Sequence, residues 1–338
     1  MLRKGKMRPN SKRLILLSGL LFLLVLSFLL SLLEGPVETD LGDLFNFIFQ
    51  GQGDENLKTI LIDLRLSRAL LAFLVGASLS LSGAILQGYF QNPMAGPFVV
   101  GVSSGASFGA VLCIYLGWNI SFLGLSLQSL FAFASGFGIV FLVYLLSQKK
   151  GVFKVETLLL TGIAAGALAS ALTSFLIFFK SESYEQAVFW LLGSFQLADW
   201  KHITAVFPYF LVCFIAAQWL AKDMNLLVQG DDTAQALGCP VSRVRKTFLV
   251  LSTLLAASSV SVCGIIGFIG LVVPHWVRIL IGPDHRHLFF FSSLTGGVFL
   301  VYSDLLARTL LFPTELPIGI ITAAVGAPFF IYLLSQRR

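Results

Sequence analysis

Charged side chains are what this sequence has least of. Asp, Glu, Lys and Arg make up 12% of it, and from Ala69 to Gln148 none occurs in 80 residues. Only lipid suits such a stretch: a hydrocarbon core of about 30 Å is crossed by about 20 helical residues, so the run holds about three crossings and their turns. Carboxylates are nearly absent from every other apolar run as well. A carrier driven by protons or sodium keeps ionisable groups at mid-membrane despite their cost there, so this scarcity disfavours ion-coupled transport. The four cysteines, Cys113, Cys213, Cys239 and Cys263, stand singly with no C-x-x-C spacing, which reads as small core residues. No G-x-x-x-x-G-K-[ST] occurs, so the chain has no P-loop of its own for nucleotide. Nor is there a soluble domain, since the polar stretches 34–68, 180–202 and 222–246 are each too short to bury a core.

What is present is apolar sequence, 57% of the chain, in long uninterrupted runs. They do not alternate polar and apolar as barrel strands do, so the expected class is an all-α polytopic membrane protein. Leu14 to Leu33 follows a basic leader but is about twice a typical signal-peptide core and lacks an Ala-x-Ala site; it is expected to be the first span. Pro and Gly breaks place further spans near 69–90, 98–117, 127–147, 157–179, 203–221, 247–264, 265–281, 288–307 and 317–335. That makes ten, with both termini cytoplasmic, a basic tail over 1–13, one permease-like domain over 14–335 and a short tail over 336–338.

The charge distribution agrees with ten. Cytoplasmic loops accumulate Lys and Arg, and this topology leaves only Lys58, Arg65, Arg68, Lys180, Lys201 and Arg308 outside. Nine spans would move Arg337 and Arg338 outside. The net charge of +6 therefore reflects topology rather than nucleic-acid binding. Glu185 to Leu192 keeps a helical apolar pattern and is expected to lie along the outer surface as an interfacial helix. Pro283-Asp284-His285-Arg286-His287 reads as a solvated cytoplasmic turn, and no metal site is expected there or elsewhere. Asp304 and Arg308 are spaced to neutralise each other on one helix face.

Small residues crowd several spans, including Gly76, Gly83, Gly101, Gly105 and Gly109, and Gly162 to Ser170. Close helix packing accounts for most of them. For Gly162 to Ser170 a pathway wall is an equal reading. Three segments exceed what packing needs. Asn92-Pro93-Met94-Ala95-Gly96-Pro97 is a two-proline break at the cytoplasmic end of the second span. Gln229 to Gly238 is polar and predicts a short helix closed by Gly238, followed by Pro240 and the basic Arg243, Arg245 and Lys246, making a rigid cytoplasmic knob. Arg65-Leu66-Ser67-Arg68 puts two cations at the outer mouth, which asks for an acidic partner outside.

Together these segments resemble the FecCD-type permeases of ATP-binding-cassette importers for iron-siderophore complexes, haem and cobalamin. The resemblance also rests on Gly267-Phe268-Ile269-Gly270-Leu271-Val272-Val273-Pro274-His275 with Arg278, on Asp284-His285-Arg286, and on Glu315-Leu316-Pro317-Ile318-Gly319 leading to Gly326-Ala327-Pro328. It covers nearly the whole chain. Ser67 stands where proline is common in the family, and Gly96 replaces a frequent acidic residue. The resemblance implies a ten-helix subunit of a two-subunit permease in a bacterial cytoplasmic membrane, with no cofactor of its own. ATP and magnesium would be bound by two partner ATPase subunits, and a soluble extracytoplasmic binding protein would deliver the metal-chelate substrate. The subunit itself would catalyse no bond change. Gly230, Asp231, Ala234, Leu237 and Gly238 would couple to the ATPase. Arg65, Arg68 and Arg308 would dock the binding protein. Asn92 and Met94 would form a cytoplasmic gate, with Thr161, Gly162 and Gly166 on the pathway helix. A zinc or manganese permease of the same broad class, a proton-coupled secondary transporter and a non-transporting receptor or scaffold are the alternative readings.

Overall fold

The computed structural model describes residues 9–35, 37, 39–47, 55–118, 120–122, 124–149, 152–153, 155–180 and 184–335. The predicted tail 1–13 is thus described only from Pro9. The C-terminal tail 336–338 and the basic residues Arg3, Lys4, Lys6, Arg8, Lys150 and Lys154 lie outside the described residues.

The chain folds almost wholly as helix. In chain order the elements that place the site are α1 (Pro9–Leu33), α2 (Ser67–Tyr89), α3 (Val102–Leu116), α4 (Leu127–Ser147), α5 (Val155–Phe179), α6 (Tyr184–Leu192), α7 (Trp200–Trp219), α8 (Ala221–Leu227), α9 (Asp231–Ala236), α10 (Val241–Cys263), α11 (Ile269–Ile281), α12 (His285–Thr309) and α13 (Ile318–Ser335). Among the described residues seven helices are long and apolar enough to cross a membrane; α3, α11 and the apolar part of α13 are shorter. A wide helical turn, Thr59–Leu66, leads directly into α2. Two small antiparallel hairpins close loops, Ser121–Phe122 with Leu125–Ser126 and Gln148–Lys149 with Val152–Phe153.

The buried axis of the bundle is α2. Its residues from Leu74 to Tyr89 are all buried, and α12, α10 and α11 pack round it. Small residues make this possible. A Cβ added at Gly76 would lie 2.2 Å from the carbonyl oxygen of Gly296 on α12, and one added at Gly83 would lie 1.7 Å from that of Gly270 on α11. The backbones are in direct contact, as association between apolar helices in lipid favours. The same device joins α3 to α4, where Gly109 leaves no room for a Cβ against Phe131.

The bundle has a basic end, carrying Arg243 and Lys246 at the start of α10, and an opposite end, carrying Arg65, Arg68 and Arg308. Helices α11 and α3, of 13 and 15 residues, rise only about 20 Å at 1.5 Å per residue. Irregular backbone precedes each of them. Before α11 it is Gly264 to Phe268, in which Gly264 takes φ +73 and Phe268 φ +67. This loop is sealed by protein: Ser194 N–H donates to Cys263 O at 2.9 Å and Ile318 N–H to Gly193 O at 3.1 Å. Irregular backbone at such depth is tolerated only where protein or a water-filled cavity satisfies it.

All four cysteines are free and buried. His285, expected on a solvated turn, is instead 3% exposed, because the residue opens α12 directly beneath α2 and its ring lies against Gly88.

Candidate functional site

At the basic end the predicted knob is a compact pair of short helices. Its second helix, α9, is closed by Gly238 at φ +84, with Gly238 N–H donating to Gln235 O and Cys239 N–H to Ala234 O, both at 3.0 Å. These two bonds define the Schellman closure, which needs a left-handed residue that glycine supplies without strain. Gly230 enters α9 at φ +109. Ala234 is fully buried, whereas Leu237 is 61% exposed at the tip and Gly238 has open space around it. The knob thus presents Leu237 and Gly238 outward on a stiff base.

Three attachments fix that base. Arg245 of α10, itself buried, grips Asp231 with Nε at 3.1 Å from both carboxylate oxygens and Nη2 at 2.5 Å, while Nη1 donates to Tyr89 O at 3.0 Å. Its guanidinium lies over the Tyr89 ring, 5.2 Å from the centre. Gln91 Nε2 donates to Leu227 O at 2.8 Å, tying the end of α2 to α8. Asn225 of α8 donates from Nδ2 to Asp284 Oδ1 at 2.7 Å and accepts from His285 N–H at 3.0 Å, tying α8 to the start of α12. Burial alone would raise the Asp284 carboxyl, but the Asn225 amide, the Arg286 N–H and charge, and the nearby His287 together hold it below its ordinary range. The knob is riveted to α2, α10 and α12 at once. Of these rivets only Asp231 stood among the expected coupling residues. Arg245 was read as part of the knob, as one of three basic residues after Pro240, but not as the partner of Asp231; Asn225 and Gln91 were missed.

Asn92 and Met94 lie beside this base. The Asn92 side chain accepts from Met94 N–H at 2.9 Å, an Asx turn that reverses the chain after α2, and Gln91 enters it at φ +50. Gln87 Nε2 donates to Leu271 O at 3.0 Å, which links the break to α11.

The predicted pathway residues divide. Gly162 and Gly166 are buried: a Cβ at Gly162 would lie 3.0 Å from Val99 O, on the short turn Pro97–Val100, and one at Gly166 would meet Ser104 of α3 at 3.4 Å. Packing, the first of the two readings, describes them; Thr161 is half-buried. The opposite face of α5 carries the exposed Leu160, Ile163, Leu168 and Leu172.

At the other end the three arginines come together but turn inward. Arg65 is 4% exposed and serves the last turn of α1: Nη1 donates to Leu32 O at 2.5 Å, Leu33 O at 2.9 Å and Thr39 Oγ1 at 2.7 Å, and Nη2 to Val37 O. It caps carbonyls that the helix cannot satisfy itself. Arg68 holds Asp304 through Nε and Nη2, at 2.8–3.1 Å, and Glu315 through Nη1 at 3.0 Å. Arg308, expected beside Asp304, keeps a 4.0 Å approach to it but spends its hydrogen bonds on Ser31 O and Oγ, both 2.8 Å. Asp63, two residues before Arg65, accepts from Trp200 Nε1 at 3.2 Å.

Comparison with known proteins places this arrangement. The model of the FecCD transport family matches residues 23–336. A cobalamin import system permease protein, BtuC, of Halobacterium salinarum is 44% identical over 284 residues, covering 84% of this chain and 75% of the relative. An iron(3+)-hydroxamate import system permease protein, FhuG, of Bacillus subtilis is 36% identical over 335 residues, covering 97% and 99%. A solved structure described as an inward-facing conformation of a metal-chelate type ABC transporter superposes with a TM-score of 0.84 at 35% identity, covering 95% of this chain and 99% of that one.

Proposed function

The chain belongs to the FecCD transport family, and on that premise we propose that it is the membrane-spanning permease subunit of an ATP-driven importer. The cargo is a metal chelate, an iron-siderophore complex or a similar compound such as haem or cobalamin, carried inward across a bacterial cytoplasmic membrane. All ten long and short apolar helices cross the bilayer, and the basic end faces the cytoplasm. ATP and its magnesium are bound by two separate ATPase subunits, one under each permease. A second permease, a copy or a close paralogue, covers the exposed faces of α5 and α13, and the cargo passes between the two.

One observation carries this reading: the knob of α8 and α9 is pinned to α2, α10 and α12 together. A push on Leu237 or Gly238 cannot be absorbed locally and tilts the helices to which the base is fixed, which is the hinge-type motion that alternates access. Asn92 and Met94 lie at the foot of the same base and gate the cytoplasmic exit. A binding protein docks at the opposite end. There Arg65, Arg68 and Arg308 set the shape of the surface, and an acidic partner reaches Arg68 through its remaining exposed edge.

The test is ATP hydrolysis in proteoliposomes by the permease assembled with its ATPase and stimulated by the binding protein. Leu237→Asp leaves the backbone untouched; Gly238→Trp meets no neighbour within the permease but puts a side chain on a left-handed residue, so its loss counts only where the knob keeps its fold and the ATPase stays bound. Each is expected to lower stimulated hydrolysis by about tenfold or more, the loss typical of an interface anchor, with assembly intact. Full stimulation in both variants would remove the knob from the coupling path. Uptake that proceeds without ATP would remove the importer reading itself.

A further inference from the structure

An apolar groove of about 420 Å³ runs between α4 and α10 on the outside of the bundle, walled by Phe137, Val140, Phe141, Leu145, Leu249 and Val250. Phe141 is 56% and Leu145 50% exposed, so the wall is open along its length. Three residues at its basic end, Tyr144, Gln148 and Lys246, also line a second cleft of about 1050 Å³, which lies against α9 and the start of α10. The two cavities therefore adjoin at these residues, the groove as an apolar part of the channel and the cleft as its polar head. The head is cationic. Arg245 is committed to Asp231, but Arg243 and Lys246 are exposed and neither forms an ion pair among the described residues. Lys246 Nζ lies 6.0 Å from the centre of the Tyr144 ring, at the junction of the two parts.

Length decides what fits. From Lys246 to Thr253 α10 rises about 10 Å and from Ser147 to Phe137 α4 rises about 15 Å, so the groove reaches about as deep as one leaflet of a 30 Å hydrocarbon core. We propose that this channel is a binding site for an anionic phospholipid of the cytoplasmic leaflet, with one acyl chain in the groove between α4 and α10 and the phosphate between Arg243 and Lys246. Basic pockets between spans on the cytoplasmic side suit such head groups. A zwitterionic lipid brings its own ammonium to the two cations and gains less. A free phosphate has no use for the groove, and a protein partner in the aqueous cleft does not reach down to Thr253. Because Asp231 and Gln235 of α9 line the same cleft, the head group rests against the knob.

The experiment is native mass spectrometry of the full-length chain in neutral detergent with dioleoylphosphatidylglycerol, dioleoylphosphatidylcholine or glycerol 3-phosphate. The phosphatidylglycerol is expected to be retained about tenfold more strongly than the phosphatidylcholine, from two cations each contributing a few-fold near a charged surface. Arg243→Gln with Lys246→Gln should bring the two lipids to parity, whereas Lys246→Arg should keep the preference. Val250→Trp, which fills the groove and leaves the charges, should lower retention of both lipids. All these positions are exposed, and an unchanged gel-filtration profile establishes folding. Equal retention of the two lipids by the wild type, or retention indifferent to both the charge and the groove variants, would overturn the proposal. So would displacement by glycerol 3-phosphate at equal concentration, which makes the site one for free anions. Loss of the lipid on assembly with the ATPase would make the cleft a protein interface instead.

Discussion

Arg68 and Arg245 do the same work at opposite ends of the bundle: each binds a carboxylate on another segment and fixes where that segment sits. At Arg68 the partner Asp304 is 2% exposed, so the pair has little help from water. Removing one member leaves the other charge buried and uncompensated, which costs about 3 kcal/mol or more, whereas removing both costs much less. Arg68→Gln is therefore expected to lower thermal stability in detergent sharply. Arg68→Gln with Asp304→Asn should recover most of the loss, a positive coupling in a double-mutant cycle. Additive losses would mean that the pair is not the interaction that matters. These residues show where sequence stops informing. Arg65 and Arg68 are visible as cations on the wrong side for the positive-inside pattern, but the carbonyls of α1, Asp304 and Glu315 lie 32 to 247 residues away along the chain. No local pattern names such partners, so two cations at a mouth read naturally as facing outward. His285 was misplaced for the same reason, since Asn225 and Gly88 bury it from distant elements.

Helices were far more legible than their faces. Long uncharged runs ended by Pro, Gly or charge give nearly all the boundaries, and the Gly238-Cys239-Pro240 signature gives the end of α9 because a left-handed closure has few sequence solutions. Which way a glycine points is another matter. Gly162 and Gly166 share their composition with a pathway wall, yet they receive the turn Pro97–Val100 and Ser104. The glycines of α2 are the sharper case. Gly83→Ala is expected to prevent α11 from seating, since the added Cβ would fall 1.7 Å from Gly270 O, and overpacking of that kind costs about 1–3 kcal/mol or more. Gly138→Ala on α4, where nothing lies within 4 Å, should be neutral or stabilising by up to about 1 kcal/mol. Unfolding curves of the two variants check the contrast, and equal behaviour would show that backbone contact does not hold α2 in place.

For the molecule as a whole, apolar side chains stay uncovered on more than one side. On α5 and α13, Leu160, Ile163, Leu168, Ile320, Val325 and Ile331 are each more than 40% exposed. If a second permease seats there, single cysteines at 163 and 168 should crosslink into a permease pair in native membranes under mild oxidation. A cysteine at Val212, 64% exposed on α7, should not. The four native thiols are buried and give little background. Crosslinking no greater at α5 than at α7 would place the partner elsewhere.

The contact between Gly76 and Gly296 also sets an order of events during synthesis. The deepest helix, α2, emerges long before its seat on α12, which follows roughly 220 residues later. Ser78, Ser80 and the glycines of α2 gain nothing from lipid and cannot close on their partner until α12 has emerged. Until then α2 waits as a half-satisfied span, the state that membrane proteases and insertion chaperones recognise. A ribosome that stalls before α12 would thus yield a chain marked for removal rather than a partly working carrier.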